Sequence, residues 1–226
     1  MLTLIDISKN YGLRPVLRGI NLKIDKAEIV VLFGHNGAGK TTLLKISAGI
    51  TPPTRGRVVV EDQVIKQGGI YYLGHKNSLY SELTVMENIR FFLSMRNGTA
   101  MVNSIEETLE EFGLWQRRND PVKALSQGMK RRLALMKGII SGASLLMLDE
   151  PFSGLDLGWK DRVLNKLMAL REKGTSLFIA THLINEGCQI ADRVALLERG
   201  NLTLFHDKTE VNESLIQERL RNEVCR

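Results

Sequence analysis

A glycine-rich segment near the N-terminus has the residue types and spacing of a phosphate-binding loop. The residues from Gly34 to Thr41, GHNGAGKT, fit the pattern G-x-x-x-x-G-K-[ST]. Glycines let the backbone turn its N–H groups inward around phosphate oxygens, and a helix that begins there adds partial positive charge. Lys40 can reach the β and γ phosphates, and the Thr41 hydroxyl can ligate Mg²⁺. His35 occupies a variable position and is read as a spacer. The candidate phosphate-binding residues are Gly34, Asn36, Gly37, Ala38, Gly39, Lys40, Thr41 and Thr42.

Two adjacent carboxylates follow an apolar run farther along the chain. In LLMLDEP, Asp149 and Glu150 come directly after Leu145–Leu148 and before a proline. Asp149 is predicted to hold Mg²⁺, directly or through water, and Glu150 to polarise an attacking water as a general base. An acidic turn at a strand end would explain the pair without any chemistry. The phosphate loop in the same chain favours the catalytic interpretation.

Two histidines lie at the ends of other apolar runs. His182 follows Ser176–Ala180, and its imidazole could hydrogen-bond a γ-phosphate or orient a water molecule. His75 follows Ile70–Leu73, at the joint between a predicted strand and a loop. A histidine at a strand end is often only bonded to backbone or exposed to solvent, so this alternative stays open for both.

Two further segments combine a side-chain oxygen with the start of a predicted helix. Ser126 and Gly128 precede the helix predicted from Lys130 to Ile139, where a hydroxyl and an N–H group are suited to touching an anion. Asp156 ends the segment SGLD before another predicted helix. Ordinary N-capping would also explain Ser126 and Asp156.

The elements that must position these residues alternate between strand and helix. Glu28–Phe33, Ser144–Leu148 and Ser176–Ala180 are nearly continuous apolar runs, as expected for strands buried on both faces. Each later run follows a predicted helix, which favours parallel pairing with helices on the faces of the sheet. Ligands of such sheets bind at the carboxyl ends of the strands. The predicted fold class is therefore α/β.

The remaining segments predict smaller units around this core. Further strands are predicted at Leu4–Ser8, Leu22–Ile24 and Arg57–Val60, and a closing hairpin at Arg193–Leu197 and Leu202–Phe205. Apolar residues recur at helical spacing from about Thr84 to Lys123.

We expect one domain over residues 1–226. Its predicted parts are a core of about 1–75 and 144–206, an inserted α-helical subdomain of about 76–143, and a tail helix of about 208–224 that packs through Val211, Leu215, Ile216 and Leu220.

The composition of the 226 residues is that of an ordinary globular protein, with 43% hydrophobic and 25% charged residues. No apolar run is long enough to cross a bilayer, and Met1–Asp6 lacks the pattern of a signal peptide. Cys188 and Cys225 form no metal-ligand or redox spacing, which fits a reducing cytoplasm. The net charge of +6 permits an acidic partner without requiring one, and small clusters such as Lys130–Arg132 are interpreted as solvated surface.

Taken together, these motifs resemble those of ATP-binding-cassette (ABC) ATPases over essentially the whole chain. GHNGAGKT is similar to the Walker A loop and LLMLDEP to Walker B, while SGLD resembles the D-loop and ATH the switch-histidine strand. LSQGM is similar to the LSGGQ signature but departs from it at Gln127 and Met129. The resemblance implies a P-loop core with an antiparallel β subdomain and an inserted helical subdomain.

The resemblance also implies a mechanism that the residues alone do not show. Two cassettes would pair head to tail around ATP and Mg²⁺, with Ser126 and Gly128 acting on the nucleotide of the other subunit. Asp156 would be the nucleotide-binding residue of the D-loop. Tyr11 matches the aromatic residue that stacks on adenine. We expect a homodimer in the ATP-bound state, separate transmembrane permease subunits, a position on the cytoplasmic face of the cell membrane, and no nucleic-acid partner.

Within this family, the pattern around His75 is most similar to that of the haem-exporter ATPases of cytochrome c maturation. Most members carry a glutamine at this position, which touches Mg²⁺ and the attacking water. The resemblance implies either that His75 replaces those contacts or that it only fills the hinge. Exporters of drugs, lipids or polysaccharides are the alternative, and soluble cassette proteins of translation or chromosome maintenance are a weaker one.

Overall fold

A computed structural model describes residues 1–66, 69–96, 105–207, 209 and 213–224. The strands are β1 Leu2–Tyr11, β2 Arg14–Ile24, β3 Ile29–Phe33, β4 Arg55–Val60, β5 Ile70–Leu73, β6 Leu145–Asp149, β7 Ser176–Ala180, β8 Arg193–Glu198 and β9 Asn201–Asp207. The helices are α1 Lys40–Ser47, α2 Asp62–Lys66, α3 Val85–Ser94, α4 Ile105–Glu111, α5 Gln127–Ile140, α6 Leu157–Glu172, α7 Ile184–Ile190 and α8 Glu213–Val224. Short 3-10 turns lie at Trp115–Arg117 and Val122–Ala124.

A six-stranded sheet in the order β5-β6-β7-β3-β8-β9 forms the centre of the fold. Every neighbouring pair is parallel except the β8–β9 hairpin. The predicted parallel core and closing hairpin are therefore confirmed. Ala180 of β7 pairs with Leu32 of β3 on one side and with Asp149 of β6 on the other. This register brings the loops that follow all three strands to one edge of the sheet.

The central strands are buried on both faces because successive side chains point to opposite sides of a strand. One side of the sheet packs against α3 to α8, and the other against α1, α2 and a second sheet. The first side presents Ile29, Val31, Phe33, Leu146, Leu148, Leu177, Ile179, Val194 and Leu196. The second presents Val30, Leu32, Leu145, Met147, Phe178, Ala180, Ala195 and Leu197.

The second sheet is antiparallel and has the order β2-β1-β4. It confirms the predicted fold class, an α/β core with a separate antiparallel sheet. The strands β1 and β2 extend beyond the predicted Leu4–Ser8 and Leu22–Ile24, because the hairpin pairing continues as far as Tyr11 and Arg14. Gly56 permits a close crossing of β4 over β1, since a Cβ atom there would lie 2.3 Å from the carbonyl oxygen of Asp6.

The segment predicted to be helical from about Thr84 to Lys123 is helical only in part. It contains α3, α4 and the two 3-10 turns, while residues 97–104 lie outside the described part of the chain. The predicted start near Thr84 is the N-cap of α3, where Thr84 and Glu87 form a capping box. Val85 and Ile89 of α3 and Leu109 of α4 are buried in the same apolar cluster as the central strands.

The tail forms α8 over Glu213–Val224, which lies within the helix predicted at about 208–224. Ile216 and Leu220 are buried against the helical side of the sheet. A ring nitrogen of His35 hydrogen-bonds the carbonyl oxygen of Leu220, so a residue read from the sequence as a spacer joins the phosphate loop to the tail helix. Val211 and Cys225 lie outside the described residues.

Across the described ranges of the chain, none of the helices has the length and apolar character needed to span a bilayer.

The buried side chain of Asn88 fixes the segment that leads into α3. Its Oδ1 accepts from the Tyr80 N–H at 2.9 Å, and its Nδ2 donates to the carbonyl oxygens of Tyr80 at 2.9 Å and Thr84 at 3.0 Å. We expect Asn88→Ala to lower the free energy of unfolding by about 2 kcal/mol or more, because these buried groups lose their partner. Denaturant titration measures this change. The matched control is Asn165→Ala at an exposed position of α6, and equal stability of the two variants would contradict the assignment.

Candidate active site

The predicted phosphate loop, carboxylates and histidines line one cleft at the carboxyl edge of the central sheet. Its volume is about 310 Å³. Six residues of the predicted phosphate loop and both predicted carboxylates share it with both predicted histidines. The lining comprises Val16, His35, Asn36, Gly37, Gly39, Lys40, Thr41, Thr42, His75, Asp149, Glu150, Ser153 and His182.

The loop between β3 and α1 adopts backbone conformations that favour glycine. Gly39 has a φ angle of 110°, and a Cβ atom there would lie 2.9 Å from a methyl carbon of Leu17. Lys40 is the first residue of α1, and only 6% of it is exposed. Its ammonium group donates to the carbonyl oxygens of Gly34 at 2.6 Å and His35 at 3.1 Å. A buried cation is thus held inside the loop at the start of a helix, an arrangement suited to binding phosphate.

The desolvation of the Lys40 ammonium lowers its pKa, although the carboxylates of Glu150 and Asp149 oppose that shift. The Lys40 Nζ and the Glu150 Oε1 are 3.9 Å apart. The cation therefore lies between the loop carbonyls and the carboxylate pair.

Thr41 and Asp149 connect the phosphate loop to the end of β6. The Thr41 hydroxyl donates to Asp149 Oδ2 at 2.7 Å. Asp149 is only 1% exposed, and burial raises its pKa, with the Thr41 hydrogen bond opposing the shift. A hydroxyl and a carboxylate at this separation are the hard oxygen donors that Mg²⁺ prefers, and a cation would offset the cost of burying the carboxylate. The two residues fit a magnesium site.

Glu150 occupies the left-handed region of backbone conformation, with φ at 53°. This region is unfavourable for a residue with a side chain, so the surrounding structure must hold it. The Glu150 N–H donates to the Ala180 carbonyl oxygen at 2.8 Å, and the Thr181 hydroxyl donates to Glu150 Oε2 at 3.1 Å. His182 Nδ1 lies 2.9 Å from the same carboxylate oxygen. The carboxylate is thereby fixed beside an imidazole at the mouth of the cleft.

Arg131 of α5 is a buried residue beside this site that the sequence analysis missed. It was grouped with a basic cluster interpreted as solvated surface, but the structure corrects that interpretation because Arg131 is only 4% exposed. The sequence carried one signal for this burial, which is helical spacing. Arg131 lies three residues before Ala134 and four before Leu135, and both of these are buried on the inner face of α5. Burial lowers the pKa of its guanidinium.

The loop Gly74–Asn77, here called the His75 loop, follows β5 and forms one rim of the cleft. His75 is exposed at this rim, whereas Gly74 is buried. Arg131 Nη1 donates to the Gly74 carbonyl oxygen and to Asn77 Oδ1, both at 2.9 Å. The loop is therefore tied to α5 on both sides of His75.

Six predicted site residues are not part of this lining. Gly34 and Ala38 belong to the phosphate loop itself, whereas Tyr11, Ser126, Gly128 and Asp156 lie on other segments. The Ser126 hydroxyl caps α5 by accepting from the Met129 N–H, and the Asp156 carboxylate caps α6 by accepting from the Trp159 N–H. A Cβ atom at Gly128 would lie 3.0 Å from the Gly154 carbonyl oxygen, so the signature-like segment touches the SGLD loop. Tyr11 is 52% exposed, with the Lys9 ammonium 5.2 Å from its ring centre. Their roles toward a nucleotide remain predictions.

Comparison with known sequences gives a family match and several relatives. Residues 17–153 match the profile of the ABC transporter family. The cytochrome c biogenesis ATP-binding export protein of Gluconobacter oxydans is 36% identical over 183 residues, which cover 81% of this chain and 82% of that protein. The lantibiotic transport ATP-binding protein of Streptococcus pyogenes is 30% identical over 226 residues and 97% of both chains. The Nod factor export ATP-binding protein I of Rhizobium meliloti is 33% identical over 205 residues, which are 87% of this chain but span only 61% of that protein.

Solved structures give the same fold. The ATP-binding subunit of an ABC transporter superposes with a TM-score of 0.87 over 100% of both chains, at 24% identity. A dimeric ATP-binding cassette in a post-hydrolysis state bound to ADP and Pi superposes with a TM-score of 0.82 over 92% of this chain and 99% of that one, at 23% identity. The family match covers more than half of the sequence. The chain is therefore a member of the ABC transporter ATPase family.

Proposed function

We propose that this chain binds Mg²⁺–ATP in the cleft and hydrolyses it to ADP and phosphate. The observation that carries the proposal is the joining of two predicted motifs by the Thr41–Asp149 hydrogen bond, with Glu150 and His182 beside it. Lys40 neutralises phosphate charge, and the loop N–H groups of residues 34–42 orient the phosphates. Thr41 and Asp149 hold Mg²⁺, which supplies charge stabilisation for the leaving and transferred phosphates.

Glu150 is the proposed general base. Its carboxylate accepts a proton from the water that attacks the γ-phosphorus, and the bond to the β,γ-bridging oxygen breaks. Thr181 and His182 fix the orientation of this carboxylate from the neighbouring strand end. His182 is also exposed enough to reach a phosphate oxygen, since about half of its side chain is accessible. His75 lies at the opposite rim, where a neutral imidazole can accept a hydrogen bond from water.

We further propose that the catalytic unit is a homodimer. Ser126 and Gly128 lie outside the cleft of their own chain, so they are available to bind the nucleotide of a second copy. Asp156, the N-cap of α6, lies two residues after Gly154, whose carbonyl oxygen approaches Gly128. The dimeric state of one structural neighbour supports this arrangement. Tyr11 is assigned to the adenine ring because its exposed face is free to stack.

Separate membrane subunits are the proposed partners, and the proposed location of the chain is the cytoplasmic face of the membrane.

A group of exposed apolar side chains close to the His75 loop supports a docking surface for these subunits. Tyr80 and Phe91 meet edge to face with ring centres 4.9 Å apart, and Met95 is exposed one turn farther along. Exposed aromatic groups of this kind mark protein contacts. We also propose that residues of about 76–143 form the subdomain that carries this surface.

Haem export in cytochrome c biogenesis is the proposed transport role. The Gluconobacter oxydans relative and the histidine at position 75 support it. Export of a peptide or another small molecule is the second candidate, because relatives named for lantibiotic and bacitracin transport have comparable identity.

Lys40→Ala tests the nucleotide site. We expect ATP affinity to fall by about 100-fold or more and turnover to be lost, because the variant removes a charge-assisted contact to phosphate. Equilibrium binding of a fluorescent ATP analogue and phosphate release measure the two effects. Lys45→Ala, in the same helix, is the matched control. Wild-type affinity in Lys40→Ala would contradict the proposed site.

The same pair of variants tests whether haem is the transported substrate, when each variant is expressed in a strain that lacks this gene. We expect the wild-type gene and Lys45→Ala to restore covalent haem attachment to c-type cytochromes, and Lys40→Ala to fail. Normal cytochromes in the strain without the gene would instead favour the second candidate.

Variants of His75 separate its two possible roles. We expect His75→Ala to lower turnover by about tenfold, since a contact to the attacking water is lost. His75→Gln should stay within about twofold of wild type because its amide oxygen can accept the same hydrogen bond. Steady-state phosphate release measures both, with Lys76→Ala as the control. If His75→Ala were as active as wild type, His75 would be only a hinge residue.

A further inference from the structure

Arg131 joins two segments that are far apart in the sequence and adjacent at the cleft. Its Nη1 bonds to Gly74 and Asn77 of the His75 loop. Its Nη2 donates to the carbonyl oxygen of Glu150 at 2.7 Å and also to that of Asp149. Among the described residues, Arg131 Nε has no hydrogen-bond partner, so the bonds of the guanidinium all go to these two segments.

One of the bonds from Nη2 falls on Glu150, whose main-chain conformation is unfavourable by itself. Glu150 is in the left-handed region, and its carbonyl oxygen accepts from both Arg131 and the Ser153 N–H at 3.1 Å. A small rotation of this peptide would swing the carboxylate away from Thr181 and His182. Arg131 is therefore placed to set the direction of the carboxylate without touching it.

The chemistry of arginine suits this bridging role. A guanidinium is planar and presents its donors in a fixed fork, so it can bind two groups at once in a set geometry. Here one side of the fork binds the His75 loop and the other binds the end of β6. A displacement of the loop would therefore be transmitted through a rigid group to the main chain of Glu150.

We propose that Arg131 is a positioning residue that makes the orientation of the Glu150 carboxylate depend on the position of the His75 loop. The inference rests on the proposed ATPase activity and adds a residue to it. It also gives the exposed Tyr80–Phe91 group a route to the cleft, because Tyr80 lies only three residues after the loop.

Steady-state ATPase assays of three variants test this role. We expect Arg131→Met to lower kcat by about 30-fold while KM for ATP stays within about twofold, because the phosphate loop is untouched. Arg131→Lys keeps the charge but not the fork and should recover only part of the loss. Arg132→Met is the matched control. The neighbouring Arg132 stacks on Trp159, with its guanidinium carbon 3.9 Å from the ring centre, and donates to the Phe112 carbonyl oxygen at 2.7 Å.

Asn77→Ala keeps the test decisive if the buried Arg131 variants fold poorly. This change removes only one loop contact of the guanidinium and leaves His75 in place. We expect kcat to fall by about threefold with unchanged KM, against no change in Lys76→Ala.

The outcomes distinguish this inference from the proposed function. A wild-type chain without Mg²⁺-dependent turnover would overturn the ATPase proposal itself. An active wild type with unchanged kcat in Asn77→Ala and in any folded Arg131 variant, or with changes only in melting temperature, would overturn the positioning role alone.

Discussion

The main-chain conformation of Glu150 is the constraint on which the whole site depends. A left-handed φ angle of 53° turns the chain sharply at the end of β6, so that Asp149 faces Thr41 while Glu150 faces His182. An isolated peptide would not hold this conformation, since it is unfavourable for residues with a side chain. Contacts from β7 and α5 hold it here. Two adjacent carboxylates can therefore serve a metal ion and a water molecule separately.

The parallel sheet makes those contacts possible. Because β3, β6 and β7 are neighbours in register, the phosphate loop, the carboxylate pair and the Thr181–His182 segment all begin at the same level. Burial of the strands on both faces fixes that register through packing on two sides. The helical side adds α5, whose Arg131 ties the His75 loop to the same point. One buried guanidinium thus connects the end of β6, where the proposed chemistry occurs, to the His75 loop.

Sequence reasoning predicted the elements better than the contacts between them. The buried strands and the phosphate loop have strong local signals, namely continuous apolar runs and a defined glycine spacing. The burial of Arg131 has only a weak local signal, because an arginine on a helix is usually exposed. Its partners Gly74 and Glu150 lie 57 and 19 residues away in the sequence. The left-handed conformation of Glu150 is likewise set by tertiary contacts, and so is the bond between His35 and the tail helix. The family resemblance named roles for Ser126 and Gly128 that need a second chain, and these roles cannot be read from the contacts of one chain.

Single-turnover hydrolysis of bound ATP by Glu150→Gln tests the central claim most directly, because it observes the chemical step without product release. The glutamine keeps the size of the side chain and removes its capacity to accept a proton. We predict that the rate of hydrolysis falls at least about 100-fold while ATP affinity stays within about threefold of wild type. Glu172→Gln, at an exposed position of α6, should hydrolyse ATP at the wild-type rate. A Glu150→Gln chain that hydrolyses bound ATP as fast as wild type would contradict the assignment of Glu150 as the general base.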